Sequence, residues 1–171
     1  MTESSPRFKE KTGRSIVQVR VGMSDSDWAA KVLKLPAKPL HWRGRDPHSI
    51  WLGPDQWLVT SDSKSAEKLI TFINRALSER LHAATDTSAA LTCFELSGHA
   101  SRTILTMGCG LDLDPRSFAQ GHCARTKFAC VPLLIVATKK DVYDLYVDRS
   151  LSLYLQKWVA SAISNPLAAV S

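Results

Sequence analysis

Cysteine is sparse, with four residues (Cys93, Cys109, Cys123, Cys130), no Cys-x-x-Cys and no other tight pairing pattern. No apolar segment follows the N-terminus either. Both absences argue against a secreted disulfide framework, and a cytoplasmic protein with reduced thiols is expected. Long hydrophobic runs are also missing. The longest, Cys130–Ala137, contains Pro132 and falls far short of the roughly 20 residues that a spanning helix needs. No membrane association is expected. There is no Gly-x-Gly-x-x-Gly after a strand, no P-loop, no Gly-x-Ser-x-Gly and no His-Glu-x-x-His. The five histidines (His41, His48, His82, His99, His122) stand apart, with no pair at ligand spacing. Neither the nucleotide-binding nor the hydrolytic motifs have a foothold, and no catalytic, cofactor-binding or metal-ligating residue is assigned.

What is present suits a soluble globular chain: 171 residues, 44% hydrophobic and 22% charged. A chain of that size buries enough surface to need no disulfide or metal staple. Net charge is +6, from 22 Lys and Arg against 16 Asp and Glu. Part of the excess, Arg7, Lys9, Lys11 and Arg14, lies in or beside an apolar-poor start, and residues 1–13 read as a flexible basic tail. The other basic residues read as scattered, with no aromatics interleaved, so no nucleic-acid partner is expected.

Along the chain, Ser15–Val21 is β-branched and partly alternating, a strand that Gly22 ends. A short helix over Asp27–Leu35 stops at Pro36, and residues 37–47 read as loop. The segment His48–Ser61 reads as a hairpin around Gly53-Pro54-Asp55, with Trp51 and Trp57 supplying a large apolar payload. Because the turn resets the register, the faces these two tryptophans occupy stay open. Ser63–Leu81 carries apolar residues at three- and four-residue steps, the clearest helix. Ala83–Asp86 is a connector or strand, Ala90–Leu96 a strand, and His99–Met107 a second helix. Strands over about 122–138 and Val142–Val147 meet at a polar tip, Lys139-Lys140-Asp141, and Ser150–Ile163 is the last helix. The end, 164–171, is expected to fray.

The least ordinary stretch is Gly108–Ile135. Its first part gathers three glycines, Pro115, Asp112 and Asp114, a mixture that favours turns and caps. Asp114-Pro115 reads as a helix start, and the stretch as an Ω-like corner before a long strand. A metal or acid–base site here would draw on Asp112, Asp114, His122 and Cys109 or Cys123; capping is the reading that the spacing favours. Asp86-Thr87-Ser88 likewise reads as a strand end capping a turn.

A shift of 86 residues places Asp55 on Asp141, Trp57 on Tyr143, Leu69 on Leu155, Phe72 on Trp158 and Ile73 on Val159. The expected fold is therefore α+β, with duplicated ferredoxin-like half-motifs, antiparallel strands and helices packed on one face. One domain over 14–163 would hold two similar halves, about 14–88 and 89–163.

Five stretches carry a family resemblance: WLGPDQWLV at Trp51–Val59, DTS at Asp86–Ser88, LSGHASR at Leu96–Arg102, GCGLDLDPRSFAQGHCARTK at Gly108–Lys127 and YDLYVDRS at Tyr143–Ser150. In order and spacing the chain resembles the gamma subunit of heterotetrameric sarcosine oxidase over about residues 14–163. More distantly its layout is similar to the folate-binding domain of the glycine-cleavage T-protein. The resemblance implies membership of a complex that oxidatively demethylates sarcosine to glycine, releases hydrogen peroxide and passes the one-carbon unit to tetrahydrofolate. It implies FAD, FMN and NAD on the larger subunits and zinc on the small one, with none of these in this chain. The implied partners are the alpha, beta and delta subunits, and the isolated chain is open to self-association. The implied role is structural and non-catalytic. The expected anchor or motif residues are Trp51, Gly53, Pro54, Asp55 and Trp57 on the hairpin, Asp112, Asp114, Arg116 and Phe118 at the corner, and Arg149; Trp42 is a further aromatic expected at the surface.

The alternative is a stand-alone folate-binding module related to the aminomethyltransferases, with Asp86 or Glu95 holding the pteridine. Folate-binding relatives carry Lys or Arg before a Gly-Cys, and here that position is Met107. A cysteine-based redox role would fall to Cys109 or Cys123.

Overall fold

The computed structural model describes residues 5–164. The fold is α+β, with two five-stranded antiparallel sheets and four α-helices among the described residues. The chain divides into two compact units. One is Gly13–Ala89; the other joins the residues up to Thr12 to those from Ala90 onward.

That N-terminal segment contains β1 (Arg7–Glu10), which belongs to the second unit and pairs with a strand more than eighty residues later. The first unit runs β2 (Ser15–Val21), α1 (Ser26–Val32) after one 3-10 turn, β3 (Trp42–Arg43), β4 (His48–Gly53), β5 (Gln56–Ser61), α2 (Ala66–Ala76) and β6 (His82–Asp86). The second runs β7 (Leu91–Ser97), α3 (Ser101–Gly108), β8 (Cys123–Phe128), β9 (Val131–Lys139), β10 (Val142–Asp148) and α4 (Ser152–Ile163). The sheets are ordered β3-β4-β5-β2-β6 and β8-β9-β10-β7-β1. Four positions thus recur in the same chain order, while the fifth is filled by a following strand in one unit and by the preceding β1 in the other.

Alternation builds each core. Val17, Val19 and Val21 of β2 point the same way as Trp57 and Val59 of β5 and cluster with Ala29 and Ala30 of α1 and Leu69 and Ile73 of α2. In α2 the three- and four-residue spacing puts these residues on one stripe, and the hydroxyl of Ser65 caps it by accepting from the Lys68 N–H. In the second unit Phe94, Leu96, Ile135, Tyr143 and Leu145 cluster with Ile104 of α3 and Leu155 and Val159 of α4. Trp57 and Tyr143 are each the second residue of their strands, and Leu69 and Leu155 each the fourth of their helices. Phe72 and Trp158 diverge: Phe72 is exposed, whereas Trp158 meets Phe128 edge-on at 4.6 Å.

Three expectations need correction. The loose basic tail is, over Arg7–Glu10, an edge strand antiparallel to β7. Phe8 stacks on Phe94 at 4.9 Å, and the Lys11 N–H donates to the Cys93 carbonyl at 2.8 Å. One aromatic among charges is enough on an edge, where the other face and outer rim stay wet. The long strand after Gly121 is a hairpin, β8–β9, because Ala129 and Cys130 both adopt positive φ (45° and 73°), the geometry of a two-residue primed turn. The Asp114-Pro115 helix start produces one turn only, with the Ser117 and Phe118 N–H groups donating to the Asp114 carbonyl. Apart from Ser164, the expected frayed end lies outside the described residues.

Candidate functional site

The ten anchor or motif residues divide equally between the units. Trp51, Gly53, Pro54, Asp55 and Trp57 share the β4–β5 hairpin. The turn holds its place through several bonds. The Asp55 carbonyl accepts the Val21 N–H at 3.1 Å, its carboxylate accepts from Arg20 Nε at 3.1 Å, and the Ser26 hydroxyl donates to the Pro54 carbonyl. Trp51 pairs with Trp57 across the strands, which places both on one face. They differ in exposure. Trp57 is 1% exposed and its Nε1–H donates to the Pro36 carbonyl at 2.9 Å, so it is a core residue and not the surface aromatic expected. Trp51 and Trp42 are half-buried.

Trp51 lines a cleft of about 290 Å³ with Met23, Ser26, Asp27 and Pro39, Trp57 forming part of its wall. Sequence reading missed this cleft. The sequence signal was slight: Met23, an apolar residue in a short segment without periodicity, which the structure leaves 72% exposed at the cleft.

At the corner, Leu113 and Phe118 are buried, while Asp112, Arg116 and Ser117 face solvent. Arg116 donates to Asp114 from its N–H (2.8 Å), Nε (2.9 Å) and Nη2 (3.1 Å), a two-pronged fork closed by a backbone bond. The Asp112 carboxylate accepts the Asp114 N–H at 3.0 Å. Hydrogen bonds lower both carboxyl pKa values, chiefly from the Ser117 side chain for Asp112 and from the Arg116 side chain for Asp114. Phe118 lies 5.9 Å from the His122 ring, and its carbonyl accepts from Arg102 Nη1 at 3.3 Å. His122 Nδ1 accepts the Ala119 N–H at 3.1 Å. Gly121, at φ +94°, allows the chain to turn into β8.

Two further motif aspartates, Asp86 and Asp148, repeat this arrangement. Asp86 Oδ1 accepts both the N–H (2.9 Å) and the hydroxyl (2.6 Å) of Ser88, and Asp148 Oδ1 accepts both from Ser150 (2.8 and 2.5 Å). Each pKa is lowered by its serine, side chain first. Asp86, Asp112, Asp114 and Asp148 therefore each bond the backbone N–H two residues on, the Asx turn. Ser88 also accepts the Ile16 N–H at 2.9 Å, which ties the end of β6 to β2. Arg149 donates from its N–H to the Ala90 carbonyl and from Nη2 to that of Leu91, clasping the start of β7 from the end of β10.

Among the described residues, no group of three or more His, Cys, Asp or Glu could hold a metal, and no helix is long and apolar enough to cross a membrane. Asp112, Asp114 and His122 are engaged as above. Cys123 is buried, and Cys109 Sγ donates to the Leu105 carbonyl at 3.3 Å. Glu95 is held by Lys11 (3.1 Å) and Lys9 (3.5 Å). Two buried hydroxyls, of Thr92 and Tyr143, have no hydrogen-bond partner among the described residues. Burial pushes the Tyr143 pKa up.

Fold and site together define an α+β protein whose motif residues brace turns and strand ends. The sequence matches the sarcosine oxidase, gamma subunit family over residues 27–165, and the chain belongs to that family. A comparison with curated proteins returns no match. Among solved structures, heterotetrameric sarcosine oxidase from Corynebacterium sp. U-96 in complex with pyrrole 2-carboxylate is similar, with TM-score 0.82 and 24% identity over 93% of this chain and 84% of that one. Glycine cleavage system aminomethyltransferase T from Bartonella henselae is similar at TM-score 0.70 and 8% identity, over 92% of this chain and 46% of that one. At these identities the likeness is one of fold.

Proposed function

We propose that this chain is the gamma subunit of a heterotetrameric sarcosine oxidase and that it contributes packing surface, not reacting groups. The carrying observation is the use made of four of the six motif aspartates. Asp86, Asp112, Asp114 and Asp148 all cap their own chain, and their lowered pKa values have local, structural causes. A catalytic carboxyl is usually raised toward neutrality by burial or by a like charge; none of these four is.

On this reading the oxidative demethylation of sarcosine, the transfer to tetrahydrofolate and the release of peroxide belong to companion chains that hold FAD, FMN, NAD and zinc. The alpha, beta and delta subunits are the partners, and the cytoplasm is the site of action. The recurring strand order supports reading the two units as a duplicated ferredoxin-like motif. Exposed parts of the hairpin and the corner (Pro54, Asp112, Arg116) are then anchor candidates. A second reading, a stand-alone folate-binding module, has in its favour the fold shared with aminomethyltransferase T. Against it, Asp86 and Glu95 are already engaged, by Ser88 and by Lys9 and Lys11.

Co-expression with flavin- and NAD-binding chains encoded beside it tests the proposal. A stoichiometric complex is expected on purification of any one chain. Isolation of this chain alone, with the others assembled without it, would overturn the assignment.

A further inference from the structure

The basic side chains of the last turn of α1 and the loop after it are not used by the fold. From Lys31 to Arg45 the sequence holds Lys31, Lys34, Lys38, Arg43 and Arg45, and no Asp or Glu. All five are exposed, and none of their side chains has a hydrogen-bonding or ionic partner among the described residues. Three arginines elsewhere in the same unit are matched: Arg14 with Asp62, Arg20 with Asp55, Arg80 with Asp25. The expectation of scattered charge fails for this segment.

Apolar groups accompany the charges. Met23, Val32 and Leu40 are exposed, and Met23 lines the cleft with Trp51 and Pro39. Lys38 lies between two residues that line that cleft, Ala37 and Pro39. Leu40 adopts φ 60° with half its surface in water, so neither backbone preference nor burial in this chain rewards a leucine there. The nearby carboxylates do not neutralise the run. Asp25 is taken by Arg80, Asp46 is bonded by the hydroxyls of Ser61 and Ser63, and Asp27 sits in the cleft itself.

From this juxtaposition we propose that α1 and the loop after it dock an acidic segment of a companion subunit, a stretch of carboxylates that presents an apolar side chain to the Met23–Trp51 cleft. The inference rests on the assembly reading above. Charge complementarity selects the partner: a run of exposed cations beside a cleft lined by Met23, Pro39 and Trp51, with Asp27 the one carboxylate in its lining, favours a carboxylate-rich protein surface, and rim charges set association rate and salt dependence.

The test uses the assembled complex. Zero-length carbodiimide cross-linking is expected to join Lys31, Lys34 or Lys38 to Asp or Glu of a companion chain. The triple variant Lys34→Glu, Lys38→Glu, Arg43→Glu is expected to lower the co-purifying fraction about tenfold or more, since each exposed attraction becomes a repulsion. Its circular dichroism and melting should match wild type, and the control triple Lys127→Glu, Lys139→Glu, Lys140→Glu should assemble normally. Wild-type failure to co-purify would overturn the assembly reading and this inference with it. Wild-type assembly with an equally competent triple variant, or cross-links confined to other lysines, overturns this inference alone. So does duplex DNA binding that the triple variant loses while its assembly stays intact.

Discussion

The ammonium of Lys11 lies 2.6 Å from the carboxylate of Asp144, whose side chain is 1% exposed. The same ammonium is 3.1 Å from Glu95, so one lysine just beyond β1 serves an acid on β10 and another on β7. The contact joins residues 133 positions apart and fastens the N-terminal strand to its sheet. Removing the lysine takes away a cation 2.6 Å from a buried carboxylate. Lys11→Met should cost about 1.5–3 kcal/mol in urea denaturation of the full chain, the range for hydrogen bonds to charged groups. It should also speed amide exchange over Arg7–Glu10. A cost below about 0.5 kcal/mol, ordinary for a surface change, would contradict the role given to this clasp.

Glu95 makes the same clasp pH-dependent. Burial pushes its pKa up, and the hydrogen bond and charge of Lys11, aided by Lys9, more than offset this and leave it below the ordinary glutamate value. The folded value therefore lies below the unfolded one. The stabilisation is complete above the unfolded value and disappears as pH falls through the folded value. Wild type should lose more stability than Glu95→Gln between neutral pH and the acid side of that window, measured by denaturation at a series of pH values. Parallel curves would remove Glu95 from the account.

The turn between β8 and β9 shows why part of the fold escapes a sequence reading. Two-residue hairpin turns with positive φ usually announce themselves with Asn-Gly or Gly-Gly; here the residues are Ala129 and Cys130, inside an apolar stretch that otherwise reads as continuous. Cys130 is exposed at φ 73°. Cys130→Gly should stabilise the chain by about 1 kcal/mol by relieving the left-handed strain. Destabilisation would argue against this turn geometry.

What was legible follows from period and punctuation. The strand Ser15–Val21 and the hairpin around Gly53-Pro54 could be read because alternation and turn residues agree. The 86-residue shift carried real information at Trp57 and Tyr143, both buried second residues of their strands. Pairing between distant segments carries no local signal, so β1 read as a tail although Phe8 stacks on Phe94. At the corner, Asp112 and Asp114 were legible as caps; the Arg116 fork was not, since it depends on a rotamer and not on spacing. Trp57 misled because large aromatics suit a core and an interface equally, and only burial separates them.

The most direct test of the central claim is a peroxide assay with sarcosine on the purified chain alone, and then on the chain combined with its companion subunits. The account predicts no turnover and no bound flavin for the isolated chain, and turnover for the combination. Peroxide formation by the isolated chain, or a flavin retained in it, would contradict the account.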